Sequence, residues 1–533
     1  MKINYHKSDL MTLNLDEDEQ NALARLFCCY ISTLPIKYLG VPLHYSKLKR
    51  EHIQPVIDKM IKRIAGWKGR LLSSAGKLTL LKSCLASIPV YLLSVIKFPK
   101  WAIEHINSQM ANFLWHDAEG NYKYHLSNWQ SLAQKKEHGG WGIPDMSNMN
   151  LCLLASWINR YHLGDNMIWK KIVDYKYNNK PTIFCCPEIG ASPFWKGVLW
   201  ACKAAKMGVR WNIGDGKSVR FWEDWWFGNC SLATQFWGLY VICDQKNLCV
   251  ADLWDGVDLK ISFRRGVNET LMQDWFTLVA IAESITYSDD CDAIIWSFDN
   301  SSKFSVQSMY STISFRGIQP VYTPVIWNLY VPPRVHIFLW LISNNKALTR
   351  SNLAKRKNIE DTSCLFCSDF ETIHHLFFDC CVASTLWKHV SDIFGVQIGS
   401  NFESVARWWV SNKRNCVLNT VGAALLWNLW KLRNEICFQG KLWKDERVAL
   451  NKIAQALKSW RPLYKAGHEE EYNRAINRIA EKSLQPLRLT ARSSESVTLP
   501  SSTSAPPSSE SEALNLASGV MVDISFSVRS CAV

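Results

Sequence analysis

Apolar residues recur at helical spacing over much of the chain. Ile53, Val56, Ile57, Met60, Ile61 and Ile64 fall on one side of a helix, while Lys59, Lys62 and Arg63 fall on the other. A second helix is predicted after Gly76, with Leu78, Leu81 and Leu85 inward and Pro89 as its stop. Residues 110–200 read as mainly helical, interrupted at Gly139-Gly-Trp-Gly142. The period then changes to two. Val209 to Trp222 alternates apolar and polar residues around Gly214-Asp-Gly216, which predicts a β-hairpin near 209–222. Tyr38-Leu-Gly-Val-Pro42 reads as a strand that ends in a turn, and Ala293-Ile-Ile-Trp296 as a further short strand. Helical spacing resumes at Val306, breaks at Pro332-Pro333, and returns through Leu386, Trp387 and Val390 and again over about 404–482. Towards the C-terminus the composition turns to Ser, Thr, Pro and Glu. Such a segment buries too little apolar area to offset its ordering entropy, so a disordered tail is expected over 486–533. The pattern predicts a mainly α, multidomain protein with small β-hairpins.

Length and composition narrow the class. The 533 residues suffice for several domains, and 48% hydrophobic content with 26 tryptophans describes a globular chain. The formal net charge of +14 favours polyanionic partners, nucleic acid before membrane. No apolar run is long enough for a transmembrane helix, and the N-terminus lacks the apolar core of a signal peptide. The 18 cysteines therefore read as reduced thiols of a protein in the nucleus or cytoplasm, not secreted, some of them metal ligands. The adjacent pairs Cys28-Cys29 and Cys185-Cys186 are poorly placed to chelate one ion and read as buried thiols.

The strongest chemical signal is Cys364-x2-Cys367-x7-His375-x4-Cys380. A Cys-x2-Cys pair closes as a tight knuckle with both thiolates on one side of an ion. A following His and Cys, taken as one face of a short helix, complete a tetrahedron for Zn2+. Two neighbours leave the register open: His374 precedes His375, and Cys381 follows Cys380. His375 is assigned because Leu376-Phe377-Phe378 follows it directly, as suits a ligand at the start of a packed helix. Four protein ligands make the zinc structural, with no position left for water or substrate.

A second signal is basic. Ten Lys or Arg residues lie between Lys47 and Lys82 against Glu51 and Asp58, with Trp67 and Trp101 nearby. Cations interleaved with aromatic rings suit phosphate contact and base stacking, and Lys59, Lys62, Arg63, Lys68 and Arg70 are the candidate nucleic-acid-binding residues. Other chemistry is not found. Gly214-Asp-Gly216-Lys-Ser218 lacks the upstream glycine of a Walker loop, and there is no Gly-x-Ser-x-Gly or His-Glu-x-x-His.

Several stretches, in order, resemble the C-terminal portion of plant LINE-type (non-LTR) retrotransposon reverse transcriptases, over roughly residues 1–440. They are Lys2-Ile-Asn-Tyr-His-Lys-Ser8, Tyr38-Leu-Gly-Val-Pro42, Gly66-Trp-Lys68 and Gly139-Gly-Trp-Gly142. Then come Gly214-Asp-Gly-Lys217 before Phe221-Trp-Glu-Asp224, Lys303-Phe-Ser-Val306 and Pro332-Pro-Arg-Val335. Phe338-x-Trp340, the cysteine loop and Trp430-x2-Arg433-Asn434 complete the series. The resemblance implies a palm-end and thumb-like remnant over 1–115 and a helical connection over 116–305. It further implies a reverse-transcriptase zinc-binding domain over 306–395 and a helical region over 396–485. It implies RNA or DNA, as a template–primer duplex, for a partner.

The polymerases of this family hold two metal ions on a Tyr/Phe-x-Asp-Asp hairpin just upstream of the segment matching Lys2-Ile-Asn. The fingers and most of the palm are thus expected to be missing, and the chain itself not to be an enzyme. Tyr287-Ser-Asp289-Asp290 has the right letters on the wrong side of the thumb-like region, and it reads as an exposed acidic turn before the Ile294-Ile-Trp296 strand. The alternative function is a non-enzymatic helical scaffold for protein partners, presenting Trp327, Trp340 and Trp427.

Overall fold

The periodicity of Ile53, Ile57 and Met60 does produce a helix, Arg50–Ala65, in which those three side chains are buried and Lys59, Lys62 and Arg63 are exposed. This computed structural model describes residues 8–485 apart from 13, 39, 44–48, 68–71, 116–123, 164–166, 178–181, 187 and 465–466. The expected disordered tail at 486–533 lies outside the described residues, as do Lys68 and Arg70. The architecture is mainly helical, with small two-stranded sheets. Among the described residues no helix is long and apolar enough to cross a membrane.

The chain groups into two units, each assembled from separated segments. One takes Met1–Ile61, Ser87–Ile106 and Asp145–Phe315; the other takes Lys62–Ala86, Asn107–Pro144 and Arg316–Val533.

In the first unit the helices Met146–Leu163 and Pro193–Ala205 pack around a core that includes Trp195, Trp211, Phe221, Trp222 and Leu278. Asn150, 1% exposed, donates from Nδ2 to the carbonyls of Leu93 (2.6 Å) and Ile96 (2.8 Å) and accepts the Phe98 N–H at 2.9 Å. One buried amide thereby satisfies three backbone groups of the neighbouring segment.

Two strand expectations need correction. Tyr38 to Pro42 is not one strand: Ile36–Tyr38 and Val41–Leu43 pair antiparallel, with Gly40 at φ +88° in the turn. The hairpin expected at 209–222 does not form either. Strand Val209–Asn212 pairs antiparallel with Ala293–Trp296, Val209 opposite Trp296. The reason lies in the glycine turn. The Asp292 carboxylate accepts the N–H groups of Gly214 (2.7 Å), Gly216 (2.9 Å) and Ser218 (2.8 Å), so the loop closes around a distant side chain instead of folding back on its own strand. A Cβ at Gly214 would lie 2.2 Å from the Asp290 carbonyl oxygen, so only glycine fits there. Cys28 also departs from expectation. It is exposed and ends the helix Glu17–Phe27 in a left-handed conformation.

The second unit is built on the helix Cys416–Gln439. Val421, Ala424, Leu425 and Leu429 are each fully buried, and apolar residues occur on all its sides, as in a helix at the centre of a core. Around it lie Pro333–Ser343, Cys381–Phe394, Glu446–Trp460 and Glu469–Leu484, which share its core. The helix expected after Gly76 divides into Ser74–Leu80 and a π-helical turn Leu81–Leu85, and Leu78, Leu81 and Leu85 are buried as expected. The Gly139-Gly-Trp-Gly142 turn places Trp141 fully inside, and a Cβ at Gly140 would meet the Gln134 carbonyl oxygen at 2.2 Å. Trp340 donates from Nε1 to the Gly139 carbonyl at 2.6 Å. Trp340 and Trp427, considered above as a surface for protein partners, are buried in this unit at 2% and 4% exposure.

Candidate metal centre

The cysteine loop is shaped by its backbone before any ligand is considered. Ser363 and Phe370 form an isolated antiparallel bridge, and the Cys364 N–H donates to the Asp369 carbonyl at 2.6 Å. The knuckle between them turns the Phe366 N–H towards the Cys364 sulfur at 3.5 Å. This fold-back sets Cys364 and Cys367 side by side.

The second pair arrives by a route that the spacing did not reveal. Residues five apart on an α-helix lie about 140° apart around the axis, too far to share a face. The chain instead makes a π-helical turn, His375–Asp379, closed by the Cys380 N–H on the His375 carbonyl at 2.7 Å. The turn gathers both donors onto one side, and a new helix, Cys381–Phe394, begins immediately after. Leu376, Phe377 and Phe378 are buried and fix the turn to the core, while the Thr372 hydroxyl caps the His375 N–H at 2.9 Å.

One donor atom from each of Cys364, Cys367, His375 and Cys380 lies within 4.8 Å of all the others. The Cys380 sulfur is 3.9 Å from those of both Cys364 and Cys367. A tetrahedral zinc with Zn–S of about 2.3 Å requires sulfurs about 3.8 Å apart, so these two edges fit the ion. The Cys367 sulfur to His375 Nε2 separation, 3.1 Å, is tighter than the roughly 3.6 Å of an ideal edge. The Asp369 carboxylate stands at the edge of the cluster, 4.0 Å from His375 Nδ1 and 3.8 Å from the Cys367 sulfur, within the surroundings that orient the donors. The neighbours that left the register open face elsewhere. His374 pairs through Nδ1 with Asp379 at 2.6 Å, and Cys381 is exposed at the start of its helix.

Three sulfurs this close compete for protons. The hydrogen bond with Cys380 draws the Cys364 thiol well below its ordinary value, and the same contact, with burial, pushes Cys380 up. Burial also raises Cys367. A divalent cation resolves the competition by taking all three as thiolates.

Two residues whose pairing sequence reasoning did not foresee hold the loop in place, Arg433 having been noted only within the Trp430-x2-Arg433-Asn434 stretch. Glu371, inside the cysteine loop and 0% exposed, receives Arg433 Nη2 at 2.7 Å and Nε at 3.2 Å, and it caps the Arg350 N–H at 2.8 Å. Arg433 is itself 3% exposed. Burial opposes its charge, and the adjacent carboxylate outweighs this and holds it ionised. An arginine within the apolar run Leu-Trp-Asn-Leu-Trp-Lys-Leu-Arg433 was the available signal for a buried partner. Of the two loop phenylalanines, Phe377 is core, and Phe366 packs edge-on against Trp443 at 5.4 Å.

The other candidate residues are dispersed. Lys59, Lys62 and Arg63 stand exposed along Arg50–Ala65. The rings near them are engaged: Trp67 packs against Phe113 at 5.2 Å, and Trp101 lies under the Arg50 guanidinium at 5.1 Å. Asp289 and Asp290 are exposed in a bend before the Ala293–Trp296 strand.

Comparison with known proteins bears on this loop directly. Residues 304–387 match the family described as zinc-binding in reverse transcriptase. This region is a reverse-transcriptase zinc-binding domain. All four converging donors lie inside it. The chain is also similar to a putative ribonuclease H protein of Arabidopsis thaliana, at 26% identity over an alignment of 412 positions that covers 74% of this chain. The match spans 65% of that protein's length.

Proposed function

We propose that Cys364, Cys367, His375 and Cys380 hold one structural Zn2+, and that the chain is part of a retrotransposon-derived reverse transcriptase that binds nucleic acid without carrying out polymerisation itself. The convergence of four N and S donors within 4.8 Å, inside the matched domain, carries the zinc assignment. Bound zinc would have its coordination filled by protein, so its chemistry is to order the loop and not to activate water. Glu371 and Arg433 would then transmit that order to the central helix.

The nucleic-acid reading is supported by the net charge of +14 and by the exposed row Lys59, Lys62 and Arg63. No catalytic step is assigned to this chain. Asp289-Asp290 is its one adjacent aspartate pair, and it lies in an exposed bend. Among the described residues, the Cys–His cluster is the one group of three or more His, Cys, Asp or Glu donors gathered closely enough for a metal. The name of the Arabidopsis relative refers to ribonuclease H.

Filter binding against salt tests the binding reading. The logarithm of affinity should fall linearly with that of salt, by about 0.7–0.9 per phosphate contacted. No binding of RNA or DNA at about 50 mM salt refutes it. Primer extension with added Mg2+ tests the assignment of no catalysis, and a template-dependent product refutes that.

A further inference from the structure

Beside the zinc-binding region, one face of the helix Cys416–Gln439 carries a row that neither the metal centre nor the expected basic helix uses. Trp427, Lys431 and Glu435 follow one another at four-residue spacing and so share a face. The Arg334 guanidinium, from the Pro332-Pro-Arg-Val335 stretch, lies over the Trp427 ring at 5.7 Å. Arg334 is half-buried, and among the described residues its Nε is enclosed with no hydrogen-bond partner and no carboxylate pairs with it. Among the described residues the exposed Lys431 is likewise in no ion pair. Two further lysines meet the one carboxylate of the row: Lys452 reaches Glu435 at 2.5 Å and Lys441 reaches it at 3.3 Å.

Lys431, Lys441 and Lys452 thus share the one carboxylate of Glu435, and Arg334 stands close enough to Lys431 to repel it. Although the residue keeps exposed surface, partial enclosure of its ammonium, with the repulsion of Lys452, Arg334 and Lys441, holds Lys431 below its ordinary value against the pull of Glu435. A guanidinium partly removed from water with no anion beside it is costly, and an arriving anion would relieve that cost. Its planar fork, stacked on an indole, suits bidentate contact with phosphate oxygens.

We infer that Arg334 and Lys431, flanked by Lys441 and Lys452, form a phosphate-binding row for the phosphodiester backbone of a nucleic-acid strand. The inference rests on the nucleic-acid reading above and adds a second, separate place of contact. Cations brought together from Pro333–Ser343, Cys416–Gln439, Glu446–Trp460 and the segment at Lys441 offer several points of contact, which suits a linear polyanion better than a lone ion.

The test is a salt titration of the full, zinc-loaded chain with single-stranded RNA and DNA of one sequence. Wild type is compared with Lys431→Gln, Arg334→Gln/Lys431→Gln and Lys59→Gln/Lys62→Gln/Arg63→Gln. Each lost phosphate contact should flatten the log–log slope by about 0.7, so the double variant is expected to be shallower by about 1.4. The exposed Lys431→Gln alone should flatten it by about 0.7 with zinc content unchanged, which separates lost contact from misfolding. Equal effects on RNA and DNA mark the shared phosphodiester as the ligand, and an effect on one alone assigns the row to that polymer. An unchanged slope in both Lys431→Gln and Arg334→Gln/Lys431→Gln, with wild type binding normally, overturns this row alone. A wild-type chain that binds neither strand overturns the wider reading together with it.

Discussion

Arg433 and Glu371 form a buried ion pair that joins the cysteine loop to the central helix of its unit, with Arg433 Nη2 2.7 Å from the carboxylate. Both groups are almost wholly removed from water, so each depends on the other. Arg433→Met should strand the Glu371 charge and destabilise the fold by about 3–5 kcal/mol in denaturant titrations. Arg433→Lys should recover only part of this, because an ammonium cannot reproduce the Nε and Nη2 fork. In a double-mutant cycle, Arg433→Met with Glu371→Gln should cost clearly less than the two single changes added together. Additive costs would show that the pair is not coupled.

Asp292 should matter well beyond one surface carboxylate. It accepts three backbone N–H groups of the Gly214–Ser218 loop, and Asp292→Ala leaves them without their acceptor. A loss of about 3 kcal/mol or more is expected, whereas Asp289→Ala and Asp290→Ala should change stability by less than about 0.5 kcal/mol. Urea unfolding followed by tryptophan fluorescence reads both.

His162 gives the first unit an acid sensitivity of its own. Burial, and then the nearby Lys170, lowers its pKa from 6.5 to about 4. The unfolded chain therefore binds a proton between about pH 6.5 and 4 that the folded chain refuses, and stability falls as pH falls through that window. Above it the group contributes no penalty; the full loss is about 3 kcal/mol. The ring stacks near Phe184 at 6.2 Å and meets Trp211 edge-on at 6.0 Å. His162→Phe, which keeps an aromatic ring there, should flatten the pH dependence of unfolding below pH 6.5 relative to wild type. Parallel curves for the two proteins would refute this.

How much of this was legible in the sequence depended on range. The helix Arg50–Ala65 follows from periodicity alone, because its buried face is set by residues three and four apart. The metal donors were legible from spacing, but the π-helical turn that makes an x4 spacing work was not, because an α-helix was assumed. The 209–222 hairpin failed for a long-range reason: its glycine turn answers to Asp292, and its strand to Ala293–Trp296. Glu371 and Arg433 are 62 residues apart, and nothing local in either segment names the other. Trp340 and Trp427 were offered as a binding surface because tryptophan counts do not distinguish core from exterior.

Zinc content tests the central claim most directly. Inductively coupled plasma mass spectrometry of the full chain, purified without added metal, should find one zinc per molecule. Cys364→Ser, Cys367→Ser, His375→Ala and Cys380→Ser should each lose it, while His374→Ala and Cys381→Ser, whose side chains face away from the cluster, should keep it. A wild-type chain without zinc, or one that holds it equally well after Cys367→Ser and His375→Ala, would contradict the account.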